Sequence, residues 1–229
     1  MRSRIAVLAS GGGSNLDAIL EYLDVRGARR GGDVVVVASD RAEAGALGKA
    51  ARRSIATAHI ADPAHVDALD ALLREHAIDL VVLAGYLKLV PAPIVQRFHG
   101  RMMNVHPALL PAFGGPGMYG IRAHRAVLES GASVSGVSVH FVDAAYDRGP
   151  LIAQWPVPVA DGDTPETLAA RVLAVEHVLY PRCVDAVAAG RIALRNDGRA
   201  VGVRASDQCF LLGPPADLVA SIDGALGTE

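Results

Sequence analysis

The stretch Ile5-Ala6-Val7-Leu8-Ala9-Ser10-Gly11-Gly12-Gly13-Ser14-Asn15, followed by Leu16-Asp17-Ala18-Ile19-Leu20, decides how the chain is read. Ile5 to Ala9 is a continuous apolar run, as expected of a strand buried on both faces. It empties into a glycine-rich loop, and helical spacing begins at Leu16. Strand, glycine loop and helix form an anion-binding geometry, because the loop lets backbone N–H groups close on an anion at the helix N-terminus. The spacing is not GxGxxG and lacks the Gly-Lys-Ser/Thr of a P-loop, which disfavours a dinucleotide or ATP and leaves a phosphomonoester open. The competing reading is a tight turn with Ser14 as N-cap and no ligand.

The same alternation continues outward. Asp33 to Ser39 reads as a second buried strand, Ala42 to Arg53 as an alanine-rich helix, and Ala56 to Ile60 as a short third strand. Ala64 to His76 is amphipathic, with Val66, Leu69, Leu72 and Leu73 on one stripe. Asp79 to Gly85 is a fourth buried strand. This succession predicts an α/β fold with a parallel sheet and right-handed crossovers. Asp40 ends the second strand where a dinucleotide fold keeps its ribose carboxylate, but without the fingerprint it is read as a strand-end residue. Tyr86-Leu87-Lys88-Leu89-Val90-Pro91 follows the fourth strand over the sheet's C-terminal edge, where it lines a flat ring pocket or packs a helix.

Met103-Asn104-Val105-His106-Pro107-Ala108-Leu109-Leu110-Pro111 then presents a brief strand from Arg101 to Val105. Asn104 and His106 are two apart, so both project to one side. Pro107 biases His106 toward an extended backbone. An amide and an imidazole are thus displayed at a strand's C-terminal end, where open α/β sheets bind ligands. The bland alternative is a strand-capping asparagine and a satisfied core histidine. Ala112 to Gly120 holds five glycines or prolines in nine residues, a lid candidate or a flexible connection. Ile121 to Ser130 is a helix carrying His124, and Ser133 to Val142 a strand with Gly136, Ser138 and His140 on one face. After Asp143-Ala144-Ala145-Tyr146-Asp147-Arg148-Gly149-Pro150, Leu151 to Trp155 forms a further strand. Thr164-Pro165 is an N-cap and N1 pair opening a long helix with Leu168, Val172, Val175 and Leu179 buried. Glu176 sits at the edge of that stripe, and Gly190 closes the helix. A hairpin is expected around Asn196-Asp197-Gly198, with no internal repeat and no domain linker.

Composition narrows the function classes. A chain of 229 residues, 51% hydrophobic and only 4% aromatic, suits helices on a parallel sheet better than an aromatic-paired sandwich. A net charge of −2 without basic runs argues against nucleic acid or a membrane surface. Cys183 and Cys209 are isolated, which disfavours a disulfide framework or a zinc site. Ile5 to Ala9 is too short for a signal or membrane segment, so a cytoplasmic protein is expected.

Three motifs then agree: Ser10 to Asn15; Asn104-Val105-His106-Pro107-Ala108-Leu109-Leu110-Pro111; and Gly136-Val137-Ser138-Val139-His140-Phe141-Val142 leading to Asp147-Arg148-Gly149-Pro150. Together they resemble the folate-dependent formyltransferases, and within them the branch that formylates glycinamide ribonucleotide in purine biosynthesis. The resemblance runs from about residue 4 to about residue 194. It implies a Rossmann-like three-layer sheet, mostly parallel, with helices on both faces and a small C-terminal antiparallel extension. It implies a single domain over 1–229, with 1–100 as the ribonucleotide-phosphate half, 101–194 as the catalytic and folate half, and 195–229 as a tail of no assigned role. By resemblance, Asn104, His106 and Asp147 are the catalytic trio, while Gly13, Ser14, Asn15 and Glu176 bind the ribonucleotide. Lys88, Leu89, Val90, Pro91, Asn104, Asp143, Ala144, Ala145, Tyr146 and Asp147 hold the formyl donor, 10-formyltetrahydrofolate. No metal is implied, and a homodimer is allowed.

There are departures. Leu173 stands where relatives can carry a polar substrate contact. A folate-tail arginine has no counterpart around Pro63 to Asp67, where His65 is a poor substitute. The loop Gly114 to Gly120 is longer than in the shortest relatives. Among rivals, methionyl-tRNA formylation would require a basic second domain and formyltetrahydrofolate hydrolysis an extra N-terminal one. An amino-sugar nucleotide N-formyltransferase shares the chemistry, although the glycine loop opening a helix favours a phosphorylated acceptor. From another class, an inactive phosphate-binding module would make His106 and Asp147 dispensable.

Overall fold

The computed structural model describes residues 1–202 together with 219, 220, 222 and 223. Period-two alternation in β1 (Ser3–Leu8) sorts its side chains to two faces. Ile5 and Val7 enter one buried cluster, Ala6 and Leu8 the other. The chain continues through α1 (Ser14–Arg26), a single 3₁₀ turn, β2 (Gly32–Ser39), α2 (Gly45–Arg52), β3 (Ala56–His59), α3 (Val66–Glu75) and β4 (Leu80–Leu83). It then forms α4 (Ala92–Arg97), β5 (Met102–His106), α5 (Ile121–Glu129), β6 (Val134–Phe141), β7 (Leu151–Pro158) and α6 (Pro165–Ala188), ending in β8 (Ala193–Leu194) and β9 (Ala200–Val201). Seven strands form one sheet in the order β3-β2-β1-β4-β5-β6-β7, and β8 pairs with β9 as a separate antiparallel ribbon around Asn196-Asp197-Gly198.

The first five strands run parallel to one another, whereas β6 pairs antiparallel with both β5 and β7. Strand order turns back between β1 and β4, which opens a crevice beyond their C-terminal ends. One face is covered by α1, α2 and α6, through Leu16, Ile19, Ala46, Ala50, Leu168, Val172 and Leu179. The other is covered by α3 and α4, through Leu69, Leu73 and Ile94. The expected three-layer architecture is therefore present.

Some boundaries move for local reasons. α2 starts at Gly45 rather than Ala42, because the preceding residues form a turn closed by Ala44 N–H on the Arg41 carbonyl at 3.2 Å. β7 runs on to Pro158 through two prolines, which an edge strand tolerates because one side of its backbone has no strand partner among the described residues. Thr164 caps α6 as expected, in a reciprocal arrangement with Thr167. Ser14 does not cap α1. Gly13 holds that position at φ 76° with no side-chain bond, and Ser14 is the first helical residue. Asp17 N–H then bonds to the Gly13 carbonyl at 3.0 Å. Cys183 is a buried free thiol; Cys209 and most of the tail lie outside the described residues.

Gly13 combines a left-handed backbone with close packing, since a Cβ there would lie 2.8 Å from the Ala46 Cα of α2. Gly11 and Gly12 have open space around them. Gly13→Val is therefore expected to lower unfolding stability by about 2–4 kcal/mol in urea titration, while Gly11→Ala stays within about 1 kcal/mol. Equal midpoints for the two variants would contradict this account of the loop.

Candidate active site

β5 ends in the crevice, and its alternation places Asn104 and His106 together on the lining of a cleft of ≈ 460 Å³. The antiparallel neighbour sets Asn104 opposite His140 and His106 opposite Ser138. Ser138 Oγ donates to the Ala108 carbonyl at 2.7 Å and accepts from Leu110 N–H and Gln154 Nε2, each at 2.9 Å. One hydroxyl with every valence engaged thus fixes the chain that leaves β5. The buried Tyr180 hydroxyl reaches the carbonyls of Leu83 at 2.8 Å and Met103 at 3.2 Å, joining the end of β4 to the start of β5.

The protonation pattern follows from groups that can only accept. His140 Nδ1 lies 2.8 Å from the Phe141 carbonyl, so it carries a proton and leaves Nε2 to accept from Asn104 Nδ2 at 3.2 Å. Asn104 keeps a second N–H. His106 Nε2 lies 2.8 Å from the Phe113 carbonyl and must donate to it. Its Nδ1 faces Asp147 Oδ2 at 3.5 Å, and Asp147 Oδ1 lies 3.6 Å from His140 Nε2. Asp147, at φ 54°, also accepts Gly115 N–H at 2.9 Å.

Burial opposes charge on His106 and lowers its pKa, against the pull of Asp147 and the Phe113 carbonyl. Burial works the other way on Asp147, yet the neighbouring His140 and His106 rings and the Gly115 N–H hold its carboxyl below the ordinary value. A mostly neutral base beside a firmly ionised carboxylate is suited to accepting a proton and stabilising the resulting imidazolium.

Across the cleft, Glu176 is almost fully buried and accepts from Asn15 Nδ2 at 2.7 Å. A solvated helix carboxylate, the bland expectation for such a residue, is not what the structure contains. Burial raises the Glu176 pKa, and the Asn15 bond only partly opposes it. Asn15 Oδ1 is buried without a hydrogen-bond partner. The glycine loop is tied to the segment after β4 by Ser10 N–H on the Gly85 carbonyl at 3.1 Å and Leu87 N–H on Ser10 Oγ at 2.9 Å.

The cleft brings together Asn15, Lys88, Leu89, Val90, Asn104, His106, Asp143, Ala145, Tyr146, Asp147 and Glu176. Gly13, Ser14, Pro91 and Ala144 do not line it; Ser14 borders a second depression between α1 and α6, and Pro91 caps α4. Sequence reasoning left His140 and His124 out of the site, although both are buried on its lining. His140 was within reach of the period-two pattern of its strand; pairing with Asn104 needed the register. Among the described residues no group of three or more His, Cys, Asp or Glu side chains is placed to hold a metal ion, and no helix is long and apolar enough to cross a membrane.

A family model described as formyl transferase matches residues 3–184. The chain is 45% identical over 204 residues to the chloroplastic phosphoribosylglycinamide formyltransferase of Arabidopsis thaliana, covering 86% of this chain and 69% of that protein. It is 38% identical over 200 residues to the Escherichia coli K12 phosphoribosylglycinamide formyltransferase, covering 84% and 91%. The crystal structure of glycinamide ribonucleotide transformylase 1 from Symbiobacterium toebii superposes with a TM-score of 0.78 at 43% identity, covering 87% of this chain and 93% of that one.

The electrostatics give a direct expectation. His106 should titrate below the ordinary histidine value of about 6.5, and Asp147→Asn should move it lower still, by removing the carboxylate that favours the imidazolium. An NMR titration of the His106 ring measures both; a midpoint that rises in the variant would contradict the pairing.

Proposed function

Because the chain belongs to the formyl transferase family, and within it to the phosphoribosylglycinamide formyltransferases, we propose that it works through Asn104, His106 and Asp147. It transfers a formyl group from 10-formyltetrahydrofolate to the amine of glycinamide ribonucleotide, in purine biosynthesis. The acceptor amine attacks the formyl carbon, and a C–N bond forms as the carbonyl oxygen becomes an oxyanion. The remaining N–H of Asn104 donates to that oxygen, a contact of the kind worth about 3–4 kcal/mol of barrier. His106 takes the amine proton at Nδ1, where the Asp147 carboxylate stabilises the imidazolium. The proton then passes to the leaving folate nitrogen as its bond to the formyl carbon breaks, giving formylglycinamide ribonucleotide and tetrahydrofolate. The observation that carries this reading is the convergence of an amide donor, a neutral imidazole and a carboxylate at one end of a cleft, with Asn15 and Glu176 across it.

In this reading the 1–100 half meets the acceptor's phosphate at the α1 N-terminus, through Gly13, Ser14 and Asn15, where leading helical N–H groups lack intrahelical partners. Glu176 accepts from the sugar hydroxyls. The pterin ring of the donor lies along Lys88-Leu89-Val90-Pro91 and Asp143-Ala144-Ala145-Tyr146-Asp147, the former segment drawn from the first half rather than from 101–194. We place the protein in the cytoplasm. A homodimer is allowed, and sedimentation equilibrium measures it.

A spectrophotometric formyl-transfer assay with 10-formyl folate separates the readings. Turnover with glycinamide ribonucleotide supports this one. Turnover only with an amino-sugar nucleotide would reassign the acceptor, and ribonucleotide binding without turnover would indicate a binding module. His106→Ala should lower kcat by about 10²–10⁴-fold with ribonucleotide affinity nearly unchanged. Equal losses of both would contradict the assigned role.

Glu176→Gln should separate binding from stability. The folded-state pKa of Glu176 lies above its unfolded value, so the stability it contributes is full below the ordinary glutamate value and is lost progressively as pH rises from there through the raised folded value. The neutral amide avoids that loss. The variant should melt about 2–4 °C higher at about pH 8 and show no such gain at about pH 4, while acceptor KM rises. A lower melting temperature at the higher pH would contradict the burial argument.

A further inference from the structure

Between the strand that carries His106 and the helix α5, residues 113–115 touch both members of the reacting pair through backbone atoms alone. The Phe113 carbonyl accepts from His106 Nε2 at 2.8 Å, and Gly115 N–H donates to Asp147 Oδ2 at 2.9 Å. Gly114, between them, sits against the site. A Cβ there would lie 2.4 Å from Leu110 Cδ2 and 3.1 Å from Asp147 Cβ. Leu110 Cδ2 is the end of a side chain and can swing away, although Leu110 is itself buried. Asp147 Cβ cannot move without carrying its carboxylate with it. Phe113 lies at φ 54°, a left-handed conformation uncommon for any residue with a side chain. Such a conformation persists where surrounding structure holds it, and the hydrogen bond from His106 to the Phe113 carbonyl is one such hold.

We propose that Gly114 is a positioning residue for the reaction: its missing side chain lets residues 113–115 lock His106 as the Nε2–H tautomer and hold the Asp147 carboxylate against its Nδ1. The consequence is chemical. A carbonyl cannot donate, so Nε2 keeps its proton throughout and Nδ1 is the one ring atom that gains and loses one. The atom that takes the proton is therefore the atom nearest the carboxylate. An imidazole with the opposite tautomer would turn an N–H toward Asp147 before reaction and would have no lone pair there to offer. The loop closes on the catalytic groups by backbone contacts, so its sequence can vary elsewhere, but a side chain at residue 114 has to displace Leu110 and press on Asp147.

The inference rests on the reading of His106 and Asp147 as reacting groups, and its test separates the two. Ring nitrogens of His106 are followed by ¹H–¹⁵N correlation in the full-length protein, alongside steady-state kinetics of Gly114→Ala. The wild-type ring is expected to show a protonated Nε2 and an unprotonated Nδ1. Gly114→Ala is expected to mix the tautomers and lower kcat by about 10–100-fold, with KM for both substrates within about twofold, the penalty typical of a small misplacement of reacting groups. A wild-type ring protonated at Nδ1 would overturn the proposal even if the variant failed to fold. So would a folded variant with unchanged tautomer and turnover. A changed tautomer with unchanged turnover would support the clamp and remove His106 from the chemistry instead.

Discussion

Asn104 and His140 face one another across the ladder between β5 and β6, and the arrangement of the cleft depends on that pairing. β5 is the last strand of the parallel run, so its end opens into the crevice where such sheets hold ligands. β6 runs the other way, which brings a histidine across from the asparagine in the same layer. The amide of Asn104 is thereby oriented by a neighbour whose own tautomer is fixed by the Phe141 carbonyl. Asp147 then lies between two histidines, at 3.5 and 3.6 Å from their rings, on the loop that follows β6. A one-residue slip between β5 and β6 would turn His140 to the opposite face and leave Asn104 without its partner.

The site concentrates costs that the layers on either side offset. His106, His140, Asn15 and Glu176 are all buried polar groups, and a charge on a carboxyl as buried as Glu176, with one hydrogen bond, would be poorly compensated. Leu16, Val172 and Leu179 on one face and Leu69, Leu73 and Phe98 on the other are almost completely buried, and supply apolar burial at roughly 1.5–3 kcal/mol for each large side chain. Stability held in the two layers lets the crevice keep groups chosen for chemistry rather than for folding.

Much of this was legible before any coordinates. Continuous apolar runs at Ile5, Val34 and Leu80 mark strands buried on both faces, and Asn104 with His106 needs only the two-residue period to be placed on one side. Thr164-Pro165 announces α6 through cap chemistry that is local to four residues. Other features depend on contacts distant in sequence. The Asn15 to Glu176 bond spans 161 residues, and without it Glu176 looks like an ordinary solvated helix carboxylate. Ser14 was a reasonable cap by composition, but α2 packs against the glycine loop so that Gly13 takes the position in a left-handed conformation. β7 continued through two prolines because its place at the sheet's edge, which only the strand order reveals, left its backbone without a second strand partner among the described residues. The roles of residues 113–115 were invisible, since they act through main-chain atoms that no side-chain pattern records.

A crystal structure of the protein with glycinamide ribonucleotide and a folate analogue whose one-carbon group cannot be transferred would show whether Asn104 and His106 meet the reacting atoms. The phosphate is expected on the backbone of Gly13 to Asn15 and the one-carbon unit between Asn104 Nδ2 and His106 Nδ1, with the acceptor amine on the same side. A phosphate bound in the depression between α1 and α6, or a one-carbon unit remote from Asn104 and His106, would contradict it.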